Sequence, residues 1–262
     1  IVLNQLKNDF EGTIKLIFQP GEERLPGGAS MMINEGVLEN PKVDKILALH
    51  VYPSMDVGKV GFKPGLYMAA CDELYLTIKG KGGHAALTNS YNNPVMLISK
   101  LLPKLESYLE SLSDSTSNFV FAFGKLEANG ETNVIPEFAR AAGTLRTMDE
   151  QWRTKIHKKL QVFVAEFLTS NSAEGQLEII KGYPCLNNDE ILTKNCIQSA
   201  KEYLGSKNVE LLDFRMTAED FSFFSQKIPA CFFRLGVRNQ DLGIVHEVHH
   251  PKFDIDKNAI KF

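Results

Sequence analysis

Hydrophobic and polar positions follow one rhythm at the two ends of the chain and another in its middle. Near the start, Gly12–Phe18 (GTIKLIF) is a short β-branched run of the kind that forms a strand buried on both faces. Gly27–Glu35 (GGASMMINE) predicts a helix, and Gly36 closes it. Asp44–Leu49 (DKILAL) and Val57–Phe62 (VGKVGF) predict two more strands. Strand–helix–strand alternation builds a mostly parallel sheet flanked by helices. The opening IVLNQLKNDF reads as the tail of an amphipathic helix, so the sequence reads as beginning in mid-fold.

The middle differs. In Glu73–Lys79 (ELYLTIK), Leu74, Leu76 and Ile78 alternate with Tyr75, Thr77 and Lys79, the period of a half-exposed strand. Pro94–Leu112 carries Leu97, Leu101, Leu105 and Leu109 at four-residue steps and predicts a helix. Asn118–Leu126 and Phe138–Thr147 predict strands. Met148–Leu168 predicts a helix with the stripe Trp152, Ile156, Leu160, Phe163 and Phe167, and Gln176–Ile180 a last strand. The order β-α-β-β-α-β is the ferredoxin-like arrangement, with helices on one face of an antiparallel sheet. Its open face and edges are natural places to dimerise.

After Gly182 the first rhythm returns. Asp189–Tyr203 predicts a helix capped by Asp189, Val209–Asp213 a strand, Ala218–Gln226 a helix and Ala230–Gly236 a strand before a polar loop. The fold class is therefore α/β: a mostly parallel catalytic sheet (residues 1–68 and 182–262) interrupted by an α+β insertion (residues 69–181).

Composition narrows the function. The chain has 262 residues, 44% of them apolar, enough for a sizeable core. A net charge of −3 argues against nucleic acid and against a polybasic membrane surface, and no apolar run is long enough to span a bilayer. Cys71, Cys185, Cys196 and Cys231 are scattered, with no CxxC pair. They read as buried thiols of a reducing compartment, the cytoplasm.

Candidate chemistry gathers beyond the carboxyl ends of predicted strands, where open α/β sheets bind ligands. Glu22 and Glu23 follow Phe18, His50 ends KILALH, and His246, His249 and His250 lie after the last strand. Adjacent acids on a turn are ordinarily a solvated turn, and a lone histidine at a strand end is ordinarily hydrogen-bonded structure. Together they form a set of another kind, because one Glu with two His is a common catalytic zinc set. One of two adjacent carboxylates can face the cation while the other faces its water. A zinc-type cation takes the pKa of such a water from 15.7 to about 7, worth about 12 kcal/mol, and the second Glu can move the proton.

FQPGEE, ALHVYP, GKGGHAA, TNVIPE, GTLRT, MTAEDFSFF and HHPKF, in this order, resemble the zinc-dependent amidohydrolases of the aminoacylase–carboxypeptidase group. The nearest likeness is to the N-acyl-amino-acid and hippurate hydrolase branch, which includes N-acetyldiaminopimelate deacetylases and plant auxin-conjugate hydrolases. The resemblance implies Glu22 as catalytic base and Glu23, His50 and His249 as metal ligands. His246 is the runner-up for the last position, and His250 a solvated or supporting histidine. It also implies that the insertion is a lid and dimerisation domain, whose His84 reaches a neighbouring site to stabilise an oxyanion. Asn133 and Arg146 become substrate-binding residues, Arg146 for a carboxylate or else as a sheet-surface arginine paired with a Glu. The implied cofactor is a divalent metal, zinc first, with manganese, cobalt or nickel as alternatives. The implied substrate is a small N-acylated amino acid or peptide-like amide, and the implied partner a second copy of the chain.

Two departures stand out. HAA continues as Leu87-Thr88-Asn89 where this branch has Pro-His. The segment that carries further metal ligands in the family, ahead of the GTIKLIF strand, has no counterpart here, which points to a chain short of part of its site. Two competing readings are an aminoacyl exopeptidase on the same scaffold and a catalytically inactive dimerising or ligand-binding relative.

Overall fold

The computed structural model describes residues 2–113 and 118–261, leaving Ile1 of the expected N-terminal helix outside. It contains two four-stranded sheets. The first is built from β1 (Ile46–Asp56), β2 (Val60–Phe62), β11 (Val209–Leu211) and β12 (Ala230–Arg238), in the order β1-β12-β2-β11. The helices α2 (Gly28–Asn34), α5 (Glu190–Leu204) and the single turn α6 (Ser222–Ser225) flank it, after a short α1 (Val2–Gln5). A two-stranded ribbon of β3 (Gly65–Met68) and β10 (Leu186–Asn188) lies beside it.

The second sheet contains β4 (Ala70–Lys79), β6 (Phe119–Glu127), β8 (Phe138–Thr147) and β9 (Glu174–Lys181) in the order β6-β8-β4-β9, every pair antiparallel. The helices α3 (Pro94–Leu112) and α4 (Glu150–Ser170) pack on one face. All four leucines of the α3 stripe are buried against Leu74, Leu76 and Ile78 of β4. Asn93 caps α3 through Val95 N, and Asp149 caps α4 through Gln151 N. The minimal strands β5 (Gly83–His84) and β7 (Val134–Ile135) pair as a separate ribbon.

Three expectations need correction or refinement. Gly12–Phe18 is not a strand buried on both faces. Among the described residues it pairs with no strand, Phe18 is 84% exposed, and of its side chains Ile17 packs against the core. A β-branched run becomes a strand only when an edge satisfies its backbone. A cleft of about 800 Å3, lined by Thr13–Ile17 on one side and Val43–Ala48 on the other, keeps it apart from β1. The mostly parallel first sheet also carries one antiparallel pairing that the sequence did not lead us to expect. β1 and β12 are parallel and β2 and β11 are parallel, but β12 and β2 are antiparallel. Only Val57–Lys59 separate β1 from β2, too few for the crossover that parallel strands need. Finally, the expected helix over Ala218–Gln226 shrinks to α6, because Glu219 and Asp220 sit in the turn before it.

Asn188, buried on β10, fixes where β12 lies. Its Oδ1 accepts from Phe232 N (2.7 Å) and its Nδ2 donates to the carbonyls of Phe232 and Lys63 (2.9 Å each).

The chain passes between the two sheets twice, at 69–72 and at 182–185, and one buried network ties both crossings. Asp72 and Arg153 are fully buried. Arg153 donates to both Asp72 oxygens, to Glu150 and to the carbonyl of Gly182. His157 Nε2 lies 2.6 Å from Asp72 Oδ2, and Gly182 N donates to Asp72 Oδ1 (3.1 Å). Glu150 in turn accepts from Cys185 N (2.8 Å). A Cβ at position 182 would lie 2.3 Å from the Cys71 carbonyl, so only glycine admits this close approach. Burial alone would raise the Asp72 pKa. The hydrogen bonds from Arg153 and His157 override it and hold the carboxyl at about 2.

Removing one member of a buried charged set leaves the others uncompensated. Asp72→Asn is expected to cost roughly 3–5 kcal/mol, read as a lowered urea midpoint. The Asp72 carboxyl is depressed in the folded state, so its contribution is present above its ordinary 3.8 and is lost as the pH falls towards 2. The parent should lose stability in that acid window more steeply than the variant.

Candidate active site

The segment carrying the paired acids is held at several points. Gln19 Nε2 donates to Asp220 Oδ2 (2.6 Å), and the Tyr183 hydroxyl donates to the Glu22 carbonyl. Gly28 lies so close to Pro20 that a Cβ there would fall 1.7 Å from the Pro20 oxygen. Asp220 also accepts from Ala29 N (3.0 Å) at the start of α2. Burial raises the Asp220 carboxyl, and the hydrogen bond from Ala29 opposes that.

Fixed in this way, Glu22 is half-buried and Glu23 is exposed. Burial pushes the Glu22 carboxyl above its ordinary value, and the negative charge of Glu23 adds to the effect. His50 lies on β1 in register with Arg234 on β12. Its Nδ1 is 2.7 Å from the Val51 carbonyl, which places the proton there and leaves Nε2 with a lone pair. Burial lowers the His50 pKa against that hydrogen bond, and Arg234 and Arg215 lower it further. The shift favours the neutral ring, the form that binds cations. His249, in the loop after β12, has φ 66°, uncommon for a non-glycine residue.

Glu22, Glu23, His50 and His249 line one cavity of about 440 Å3 with Arg146, Tyr183, Arg215, Glu219 and Arg234. Glu23 Oε1 and His249 Nε2 are 3.8 Å apart. A carboxylate and two imidazoles on one cavity are suitable donor types for a divalent cation. Among the described residues no three His, Cys, Asp or Glu side chains are already gathered to hold a metal ion. Seating a cation would therefore draw His50 and the Glu23–His249 pair together.

A family profile for peptidase family M20/M25/M40 matches residues 1–261. The chain belongs to that family. Among M20/M25/M40 relatives, N-acetyldiaminopimelate deacetylase of Geobacillus sp. (strain WCH70) is 33% identical over 254 residues, covering 97% of this chain and 66% of that protein. Two solved structures share the fold. One is a protein of methicillin resistant Staphylococcus aureus, with TM-score 0.88 and 28% identity, covering 98% of this chain and 66% of that one. The other is Bacillus subtilis YXEP, described as a dinuclear metal binding peptidase of the M20 family. It has TM-score 0.80 and 26% identity, covering 99% and 64%. The chain thus spans slightly under two thirds of the length of these three proteins.

The remaining sequence candidates lie elsewhere. His246 and His250 stack on each other at 4.3 Å, and neither lines the cavity. His250 Nδ1 accepts from Lys252 N. His84 and Asn133 sit at the β5–β7 ribbon, both exposed, where Ala85 N donates to the Asn133 carbonyl. They do not line the cavity of their own chain. Arg146 does, but it is not the Glu-paired surface arginine of the alternative reading: its Nη1 donates to the Met216 carbonyl (3.1 Å), linking the two sheets.

Sequence reasoning passed over Glu219, Arg215 and Arg234. The signal for Arg234 was present, since a lone cation inside the apolar run ACFFRLG has to be accommodated. Glu219 is 6% exposed, and its carboxylate accepts from Phe221 N (3.3 Å). Burial, then the charge of Glu22, push its carboxyl up to about 7.

A raised carboxyl stabilises the fold below its ordinary 4.5 and loses that contribution as the pH rises through about 7. Glu219→Gln should therefore gain on the parent in unfolding free energy as the pH rises between those values, by about 3 kcal/mol at most, read as a relative rise in thermal midpoint. Parallel midpoints across that window would refute the burial argument.

Proposed function

We propose that the intact protein is a metal-dependent amidohydrolase that cleaves N-acyl amino acids or similar small amides. The observation that carries this is the convergence of Glu22, Glu23, His50 and His249, remote in sequence, on one cavity in an M20/M25/M40 chain. The names of the Geobacillus deacetylase and of the dinuclear YXEP protein point the same way. Glu23, His50 and His249 would hold the cation, with zinc the choice that best fits two imidazoles and a carboxylate. The cation supplies Lewis acidity and acidifies water.

The chain's own residues account for the remaining steps. Glu22, raised by burial and by Glu23, takes a proton from the attacking water and returns it to the leaving amine. Asp220, Tyr183 and Gln19 hold Glu22 and Glu23 in place. Residues 69–181 serve as lid and dimerisation unit between catalytic segments 1–68 and 182–262. This rests on their separate core and on the sheet face opposite α3 and α4, where Tyr75 and Ile180 are exposed. His84 and Asn133, exposed and remote from their own cavity, would act in that of a second copy, with His84 steadying the oxyanion. Four free cysteines suit a cytoplasmic protein. Among the described residues no helix is long and apolar enough to cross a membrane.

In the full-length protein, Glu22→Gln should lower kcat for N-acetyl amino acids about 10²- to 10⁴-fold while metal content, read by elemental analysis, stays as in the parent. Chelation should abolish turnover and added zinc restore it; turnover indifferent to chelation would sink the metal-dependent reading. Mixing inactive Glu22→Gln with inactive His84→Ala protein should recover partial activity, because one mixed site then has both residues. No recovery on subunit exchange would place His84 outside the neighbouring site.

A further inference from the structure

One part of the cavity has no task in the reaction described above. Arg234 is 5% exposed on β12, directly beside His50. Its Nε donates to the Tyr67 hydroxyl (2.9 Å), and its Nη2 meets the Met68 sulfur (3.3 Å). Arg215 enters from the loop after β11. Both guanidinium groups lie against one ring, Arg215 at 4.9 Å and Arg234 at 6.0 Å from the centroid of Tyr52. Two cations share one aromatic ring, and among the described residues neither makes a direct ion pair with a carboxylate, the nearest influence being the charge of Glu219 on Arg234. Glu219, on the same cavity, accepts from Phe221 N instead.

A buried charge without a directly bonded counter-ion is costly, and the ring quadrupole offsets only part of that cost. Like charges side by side add to it. Tyr67, Tyr52 and Phe232 wall Arg234 in, and the residue lines the cavity. An arginine fork presented in this way matches the geometry of a carboxylate.

We propose that Arg215 and Arg234, gathered at Tyr52 beside His50, form the subsite that binds a carboxylate of the substrate. This rests on the amidohydrolase reading and assigns which end of the substrate meets β12. The carboxylate is either the α-carboxylate of the amino-acid product or one on its side chain. Arg146, with one nitrogen committed to Met216, is then a link between the sheets rather than the principal anion ligand.

The test uses the full-length protein and two pairs of compounds, each differing by one negative charge. N-acetyl-L-alanine against N-acetyl-L-alaninamide reads the α-carboxylate, and N-acetyl-L-glutamate against N-acetyl-L-glutamine reads the side chain. In at least one pair the acid should be preferred in kcat/KM. Arg215→Met and Arg234→Gln should each cut that preference about 10- to 100-fold, the effect of one charge-assisted pair. Arg215 is partly exposed, so its variant carries the test if Arg234→Gln fails to fold. Calorimetric Kd values for the same compounds on Glu22→Gln protein give a readout that needs no turnover. Charge preference absent in both pairs, or surviving Arg215→Met intact, overturns the subsite. Arginine-dependent binding without hydrolysis of any of the four compounds would support the subsite and overturn the amidohydrolase reading instead.

Discussion

The Asp72–Arg153 pair is the constraint on which the rest of the structure depends. It holds the start of β4, the first turns of α4 and the return segment at Gly182 in one buried knot. Both passages between the sheets run through it. The cavity is lined from both sides: Cys71, Glu73 and Arg146 come from the second sheet, and His50 and Arg234 from the first. Its shape thus follows from how the two sheets are set against each other. A buried ion pair is a weak source of net stability, but a one-sided break is expensive. The knot therefore defines a relative placement more than it adds to the total.

The same device occurs twice in the cavity. Two adjacent acids take different environments, and so different duties. At 22–23 one carboxyl is partly buried and the other exposed beside His249. At 219–220, Glu219 faces the cavity while Asp220 turns back to Gln19 and Ala29. The second pair positions the first, because Asp220 bonds Gln19, three residues before Glu22. Alternating direction along an extended or turning backbone is enough to produce this division.

Local sequence predicted well wherever an element carries its own partner. Pro94–Leu112 has an Asn cap, a proline at its first position and an apolar stripe, and its helix begins and ends as those signals indicate. Phe138–Thr147 is paired on both sides and has its expected bounds. Gly12–Phe18 shows the converse: its propensity for a strand is unspent because no edge meets it. Glu22, Glu23 and His50 were legible because each follows an apolar run, and His249 because it lies in the loop after the last strand, although Gly12–Phe18 forms no strand and His50 lies inside β1 rather than at its end. Arg215 and Arg234 were not, since only the fold brings a residue after β11 and one inside β12 to the same tyrosine ring.

Asn188 has an effect well beyond its own size. Side chains on a strand alternate between faces, so sliding β12 by a single residue would carry Arg234 out of the chamber and put Phe233 or Leu235 in its place. By clasping both the amide and the carbonyl of Phe232, one neutral side chain forbids that slip. The electrostatic character of the chamber is thus set by a residue that bears no charge and never touches its occupant.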